Sequence, residues 1–120
     1  MDRGIASLIS LCMKAGRLKT GDYACEKALR IGVAKLIILA SDSSDNTKKK
    51  FINKAHHYKT PVYIYCCIAD LSRCAGVVNR AVFAVADSGF AASIEKRLRD
   101  GNIMEAGEWR KQEYTKLQKN

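Results

Sequence analysis

Three short apolar runs, separated by stretches with helical periodicity, constrain the fold of this chain more than any other feature of its sequence. The runs cover residues 35–40, 62–66 and 81–86. Continuous apolar runs of this kind are typical of strands that are covered on both faces. Because helical patterns alternate with these strands from residue 3 to residue 99, the sequence predicts an α/β fold with helices on both faces of a mixed or parallel sheet.

The helical patterns are bounded by residues that start or stop helices. Apolar residues at helical spacing predict helices over residues 3–15, 22–31, 47–58, 70–75 and 90–99. Gly16 and Gly32 are natural helix stops, and Asp22 is a candidate N-cap of the second helix. The third helix is predicted to turn its apolar residues inward, including Tyr58. Residues 17–21, between the first two helices, are short enough for a brief edge strand.

The alternation of helices and strands stops near residue 100. A chain of 120 residues is expected to form one domain. We therefore interpret residues 1–100 as the domain and residues 101–120 as a C-terminal tail with some helical character, which contains Trp109 and Tyr114. No apolar run approaches the ~20 residues that cross a bilayer, and no signal-peptide pattern is present, so we expect neither membrane insertion nor secretion.

Positive charge is concentrated in the first half of the chain. The sequence has 21 Lys and Arg against 12 Asp and Glu, a net charge of +9, and residues 1–59 contribute +7 of it. A balance of this kind favours a polyanionic partner, with nucleic acid or the ribosome first and an anionic membrane surface second. The run Lys48–Lys50 opposes the dipole of the predicted third helix, and we interpret it as a solvated face.

The five cysteines do not form a recognisable motif. Their number is odd, and no pair has the Cys-x-x-Cys spacing of a zinc or redox site. We predict that they are buried small hydrophobic residues in a reducing cytoplasm. Cys66 and Cys67 are adjacent, so within a strand they would point to opposite faces.

The residue types that catalysis requires are not grouped in the sequence. Gly-rich phosphate loops and paired carboxylates are absent, and His56 and His57 diverge by about 100° as neighbours on a helix. A cysteine nucleophile with one of these histidines as its base is an alternative that no motif supports. We therefore expect a protein that is not an enzyme, with no metal site, no cofactor and no small-molecule substrate.

One segment has the residue types of an RNA-binding surface. Residues 16–23 place two glycines, the cations Arg17 and Lys19, and Tyr23 at the start of the second helix, and Lys27 follows one turn later. Helix N-termini attract phosphate, and an exposed aromatic ring can stack on an unpaired base. A capped helix with a solvated face is the alternative interpretation of the same residues.

Several motifs, taken in order, resemble a known family. They are Lys14-Ala15-Gly16-Arg17-Leu18 with Gly21, Lys27-Ala28-Leu29-Arg30, the strand 35–42 with Asn46–Lys50, Thr60-Pro61-Val62-Tyr63, and Asp70–Gly76. Over residues 3–99 they resemble bacterial members of the ribosomal protein L7Ae/L30e family, the kink-turn RNA binders. The resemblance implies a three-layer α/β/α sandwich with a mixed sheet of about four strands. It also implies that RNA, from the ribosome or elsewhere, is the partner.

The resemblance implies two RNA-binding surfaces. One is the start of the second helix, where the kink-turn pattern is Gly-x-Asn-Glu-x-x-Lys and this chain has Tyr23 and Ala24 at the Asn and Glu positions. The other is the loop after the short helix, with the loop after the second strand beside it. The predicted RNA-binding residues are Arg17, Lys19, Gly21, Asp22, Tyr23, Lys27, Ser44, Val77, Val78, Asn79 and Arg80.

These observations together predict a cytoplasmic, non-enzymatic RNA-binding protein that is associated with the ribosome or ribosomal RNA and recognises structured, kink-turn-like RNA. The alternative is a protein-interaction module of the same fold, with Trp109 and Tyr114 as anchors in translation or transcription complexes. The sequence leaves the oligomeric state open, and we favour a monomer.

Overall fold

The structure, a computed structural model, describes residues 1–106 and contains five helices and four strands in alternating order. The elements are α1 (Arg3–Lys14), β1 (Leu18–Thr20), α2 (Asp22–Arg30), β2 (Leu36–Leu39), α3 (Asp45–His57), β3 (Val62–Ile64), α4 (Ile68–Ala75), β4 (Val82–Val85) and α5 (Ser88–Asp100). Each predicted element is present, with ends that differ by at most two residues. In the described residues, no helix is long and apolar enough to span a bilayer.

The four strands form one mixed sheet in the order β1-β4-β2-β3. Strands β2 and β3 are parallel, and β4 runs antiparallel to both of its neighbours, β1 and β2. Helices α1, α4 and α5 cover one face of the sheet, and α2 and α3 cover the other. The predicted three-layer fold with a mixed four-stranded sheet is therefore confirmed, including the brief edge strand β1.

The central strand β2 shows why its sequence is apolar throughout. Leu36 and Ile38 point into the core beneath α1, α4 and α5, while Ile37 and Leu39 point into the core beneath α2 and α3. All four side chains are fully buried. Alternate residues of a strand point to opposite faces, so a strand between two helical layers needs apolar residues at every position.

The direction of the strands gathers several loops at one end of the sheet. The carboxyl ends of β1, β2 and β3 and the start of β4 meet there, because β4 runs opposite to the other three strands. Helices α2, α3 and α4 all begin at this end. We call it the loop edge, and it consists of Gly21 and residues 40–44, 65–67 and 77–81.

Two local predictions are wrong. Asp22 is not the N-cap of α2, because Gly21 occupies that position and no side chain caps the helix. Asp22 lies in the first turn, 3.8 Å from the Lys50 ammonium. Tyr58 does not face the core: it is the C-cap of α3, and 40% of it is exposed because the helix has already ended at His57.

The cysteines divide into two groups. Cys12 and Cys25 are buried as predicted, and burial raises the pKa of their thiols to about 11 and about 12. Such thiols stay protonated at neutral pH and are poor nucleophiles. Cys66, Cys67 and Cys74 are only half-buried, contrary to the prediction. Strand β3 ends at Ile64, so Cys66 and Cys67 are not strand residues and need not point apart.

Part of the predicted tail packs against the sheet. Glu105 forms an isolated antiparallel bridge with Tyr63, and Ala106 is buried in the core beneath α2 and α3. The two aromatic residues proposed as anchors, Trp109 and Tyr114, lie outside the described residues.

Candidate nucleic-acid interface

The backbone at Gly21 lies directly under the side chain of Arg80. Gly21 has φ 88° and ψ 165°, a conformation that is essentially restricted to glycine, and its N–H donates to the Val82 carbonyl at 3.0 Å. A Cβ atom at this position would lie 3.0 Å from Arg80 Nη1. Because residue 21 is a glycine, the Arg80 guanidinium can lie across the start of α2. This contact joins the two predicted RNA-binding surfaces.

Ser72 holds the loop that carries Arg80. The Arg80 backbone N–H donates to Ser72 Oγ at 2.9 Å, and the Ser72 hydroxyl lies 3.2 Å from the Arg80 carbonyl oxygen, to which it can donate. Gly76 ends α4 in the left-handed conformation, and Asn79 adopts φ 54° in the loop. The loop is thus fixed at both ends. Ser72, a polar residue buried in α4, is the residue that sequence analysis did not assign to the site.

The loop presents one valine to the core and one to solvent. Val77 packs against the core beneath α1, α4 and α5, whereas 86% of Val78 is exposed. Val77, Val78 and Asn79 line an open groove of about 550 Å³ together with Asp42, Ile68, Ala69, Ser72 and Arg73. Asp42 is held there because its Oδ1 accepts from the Ile68 N–H at 2.8 Å. The groove thus contains a residue of the loop after β2, which the resemblance placed beside the loop 77–80.

A second depression lies along α2 beside the edge strand β1. Lys19, Tyr23 and Lys27 line it with the apolar residues Ala24, Ala28, Ile31 and Val33, and its volume is about 340 Å³. Tyr23 and Lys27 are four residues apart and share one helix face. The Tyr23 ring is 78% exposed, so one side of it is open to a stacking partner.

Several cations near α2 and α3 are already paired. Lys50 and Lys54 each lie 3.1 Å from a Glu26 carboxylate oxygen, and hydrogen bonds from both ammonium groups lower the pKa of Glu26. Lys48 Nζ donates to the Ser41 carbonyl at 2.7 Å. Within residues 1–106, by contrast, Lys19, Lys27 and Arg80 form no ion pair. These three cations are available to a polyanion.

The remaining predicted residues lie in different places. Ser44 is at the loop edge as the N-cap of α3, where its Oγ accepts from the Thr47 N–H at 3.1 Å. Arg17 is at the opposite end of β1, because its carbonyl accepts from the Ala86 N–H beyond the end of β4. Three strand residues separate Arg17 from Gly21, so the two residues are roughly 13 Å apart. The structure therefore brings together Gly21, Arg80 and Val77–Asn79, and it places Lys19 and Tyr23 beside them. Lys27 lies on the same helix face as Tyr23 but in the last turn of α2, and Arg17 lies apart.

The loop edge combines features that suit nucleic acid. Three helices begin there, and the positive ends of their dipoles favour phosphate. Arg80, which forms no ion pair among the described residues, lies next to these helix starts, as do the exposed side chains of Tyr23 and Val78. Such a surface can bind a phosphate backbone and pack against unstacked bases.

Comparison with known proteins identifies relatives of this chain. Residues 3–95 match the ribosomal protein L7Ae/L30e/S12e/Gadd45 family. The protein named RNA-binding protein YlxQ from Enterococcus faecium is 38% identical over 85 residues, which cover 71% of this chain and 82% of that protein. A protein with the same name from Bacillus subtilis (strain 168) is 38% identical over 84 residues, which cover 70% of this chain and 84% of that protein.

Solved structures with a similar fold include one close in sequence and one remote. A protein of unknown function from Bacillus halodurans C superposes with a TM-score of 0.76 at 34% identity, covering 79% of this chain and 96% of that chain. The 15.5kD RNA binding protein of Giardia lamblia superposes with a TM-score of 0.69 at 18% identity, covering 81% of this chain and 86% of that chain. At 18% identity the second likeness supports the fold alone.

Proposed function

The chain belongs to the ribosomal protein L7Ae/L30e/S12e/Gadd45 family, and we propose that it is a non-enzymatic protein that binds structured RNA through the loop edge and the adjacent face of α2. Two of its relatives are named RNA-binding proteins. The observation that carries the assignment to this surface is the contact of Arg80 with Gly21. Through it, the start of α2 and the loop 77–80 form one continuous surface.

Each part of the surface has a distinct role in this proposal. Arg80, Lys27 and Lys19 neutralise phosphates, and the N–H groups at the start of α2 add a positive field. Tyr23 stacks on an unpaired base, as aromatic residues do in single-stranded RNA recognition. Val78 packs against a second base that is turned out of the helix, since 86% of this residue is exposed.

The finer proposal concerns the kind of RNA. We infer a kink-turn-like RNA, associated with the ribosome or ribosomal RNA in the cytoplasm, from the membership of the family and the position of the surface. Tyr23 and Ala24 replace an amide and a carboxylate, so the chain offers stacking where kink-turn binders offer hydrogen bonds to base edges. Binding of a kink-turn RNA that exceeds binding of the same RNA with its bulge paired would support this specificity, and equal binding would contradict it.

The test of the surface is the double variant Lys27→Ala/Arg80→Ala. We expect weaker binding to a structured RNA, and a dependence of log affinity on log salt that is about two units shallower, because two phosphate contacts are lost. The matched control is Lys14→Ala/Lys35→Ala, which removes the same charge at the opposite end of the sheet. Fluorescence anisotropy at several salt concentrations measures both quantities.

The control decides whether position or net charge matters. If the two double variants lose affinity and salt dependence equally, the binding follows net charge and the surface is wrongly assigned. If neither variant changes affinity for any structured RNA tested, RNA binding through this surface is refuted. A separate experiment tests the ribosome association: the protein in a cell extract should sediment with the ribosomes and not as free protein.

A further inference from the structure

Two cysteines and an aspartate meet at the start of α4. The Cys66 thiol, the Cys67 thiol and a carboxylate oxygen of Asp70 all lie within 4.8 Å of one another. Cys66 Sγ is 3.8 Å from Asp70 Oδ2. All three side chains are half-buried, so solvent and ions reach them. The sequence-based expectation that the two thiols point to opposite faces is wrong.

An unusual backbone conformation brings the adjacent thiols together. Cys66 has φ 59°, in the left-handed region that residues with a Cβ rarely adopt and that costs roughly 1–2 kcal/mol. The neighbouring loop holds this conformation, because the Ser41 N–H and the Ser41 hydroxyl both donate to the Cys66 carbonyl, at 2.7 and 2.9 Å. Strained residues that the surroundings hold in place are concentrated at functional sites.

We propose that Cys66, Cys67 and Asp70 form a binding site for a zinc ion. Thiolate and carboxylate are both ligands of Zn²⁺, and three protein ligands leave the fourth tetrahedral position to water. Zn–S and Zn–O bonds of about 2.3 and 2.0–2.2 Å place neighbouring ligand atoms about 3.5–3.8 Å apart. The distance from Cys66 Sγ to Asp70 Oδ2 already has this value, and small side-chain rotations bring in Cys67.

The charges around the site agree with a bound cation. Two thiolates and a carboxylate carry three negative charges against two on the ion, so the loaded site keeps one negative charge at the start of α4, where the helix dipole favours it. Arg73 binds the other oxygen of Asp70, Oδ1, at 3.2 Å and leaves Oδ2 for the ion. The Arg73 side chain is 77% exposed, so this ion pair is weak and does not compete strongly.

Cys74 provides a matched control within the same helix. It is also a half-buried cysteine, one turn beyond Asp70, but its Sγ lies 3.5 Å from Met1 Sδ and it is not among the three clustered ligands. Replacing Cys74 therefore removes one thiol of similar exposure and leaves the proposed site intact.

The experiment is a Co²⁺ titration of the full-length protein with all thiols confirmed as reduced. We expect a thiolate-to-cobalt absorption band that Zn²⁺ removes at one equivalent. Cys66→Ser/Cys67→Ser should lower Zn²⁺ affinity by more than roughly a hundredfold, since even outer partners of a zinc site contribute about 10–100-fold. Cys74→Ser should keep both the band and the affinity.

Thermal unfolding with and without Zn²⁺ gives a second measurement. A site that exists only in the folded protein raises Tm as the ion is added, so the native chain and Cys74→Ser should respond and the double variant should not. Circular dichroism verifies that each variant folds. A reduced native protein without the cobalt band, an undiminished Zn²⁺ affinity in the double variant, or loss of the site in Cys74→Ser would each overturn the proposal. None of these measurements involves RNA.

Discussion

At the end of the sheet opposite the loop edge, α2 and α3 terminate, and cations stand near their carbonyl ends. Arg30, Lys35 and Lys59 line one depression there together with Tyr58. Lys35 Nζ donates to the Gly32 carbonyl at 3.3 Å, just past the end of α2. Positive side chains near a helix C-terminus interact favourably with the dipole and with unpaired carbonyls. The charge at this end therefore has a structural explanation.

The loop edge has the opposite arrangement. Three helices begin there, so a cation close to them is repelled by the positive ends of the dipoles. Arg80 nevertheless lies across the start of α2. Lys50 is also near a helix start, but Asp22 and Glu26 neutralise it. Comparing the two ends shows that net charge alone does not identify a binding surface. A cation that opposes the local dipole and has no acidic partner is the stronger indication.

The two glycines that flank α2 provide the strongest test of the difference between the two ends of the sheet. Gly21 and Gly32 both have positive φ, 88° and 80°, but a Cβ at Gly21 meets Arg80 whereas a Cβ at Gly32 meets nothing within 4 Å. We expect Gly21→Ala to destabilise the fold by about 1–3 kcal/mol and Gly32→Ala by about 1–2 kcal/mol, measured by denaturant unfolding. Only Gly21→Ala should also weaken RNA binding.

The expected loss of RNA affinity in Gly21→Ala is tenfold or more, because one charge-assisted hydrogen bond of Arg80 is worth about 1.5–3 kcal/mol. Affinity is measured well below the melting temperature, so that both variants are folded. If Gly32→Ala weakens binding as much as Gly21→Ala, the loss reflects stability and the two ends of α2 do not differ in function.

The two exposed tyrosines test the same difference between the two ends, and we expect a smaller change in RNA affinity. Tyr23 is 78% exposed beside the loop edge, whereas Tyr58, at the opposite end, already packs edge-on against His57 with ring centroids 4.8 Å apart. Stacking of a base on an aromatic ring contributes about 1–3 kcal/mol, so Tyr23→Ala should weaken RNA binding by that amount. Tyr58→Ala should leave the affinity unchanged. Equal losses in the two variants would show that Tyr23 does not stack on RNA.

The sequence predicted the fold well because its strongest patterns are set by burial. The run 35–40 is apolar at every position since β2 has a helical layer on each face, and helical spacing found each helix. Even the three-residue strand β1 was recognisable, from its position between two helix boundaries. These features depend on neighbours along the chain or on a whole layer, and a single sequence contains that information.

The sequence could not predict contacts that depend on the positions of separate loops. Arg80 reaches Gly21 only because β1 and β4 are adjacent and antiparallel. Cys66 and Cys67 were expected to point apart because β3 was assumed to continue, and its early end at Ile64 reverses that arrangement. Asp22 was expected to cap α2 because aspartate is a common residue at helix starts. Local patterns do not reveal its pairing with Lys50 on α3. Such errors arise where tertiary geometry replaces a local preference.

Glu26 tests the assumption that paired cations do not take part in binding, and its effect should be the smallest. Lys50 and Lys54 hold the pKa of Glu26 below its ordinary value of 4.5, so the carboxylate stabilises the folded chain above that pH and loses its contribution as the pH falls through the lowered value. We expect Glu26→Gln to be slightly less stable than the native chain at neutral pH, with a difference that disappears in acid and shrinks in salt. In the same variant Lys50, in the second turn of α3, keeps only its longer contact with Asp22, so the RNA affinity of the variant should rise slightly. Denaturant midpoints at both pH values and anisotropy at low salt measure these changes. If the RNA affinity of Glu26→Gln falls instead, the carboxylate itself contacts RNA. Ion pairing with an acidic residue would then not determine which cations bind RNA.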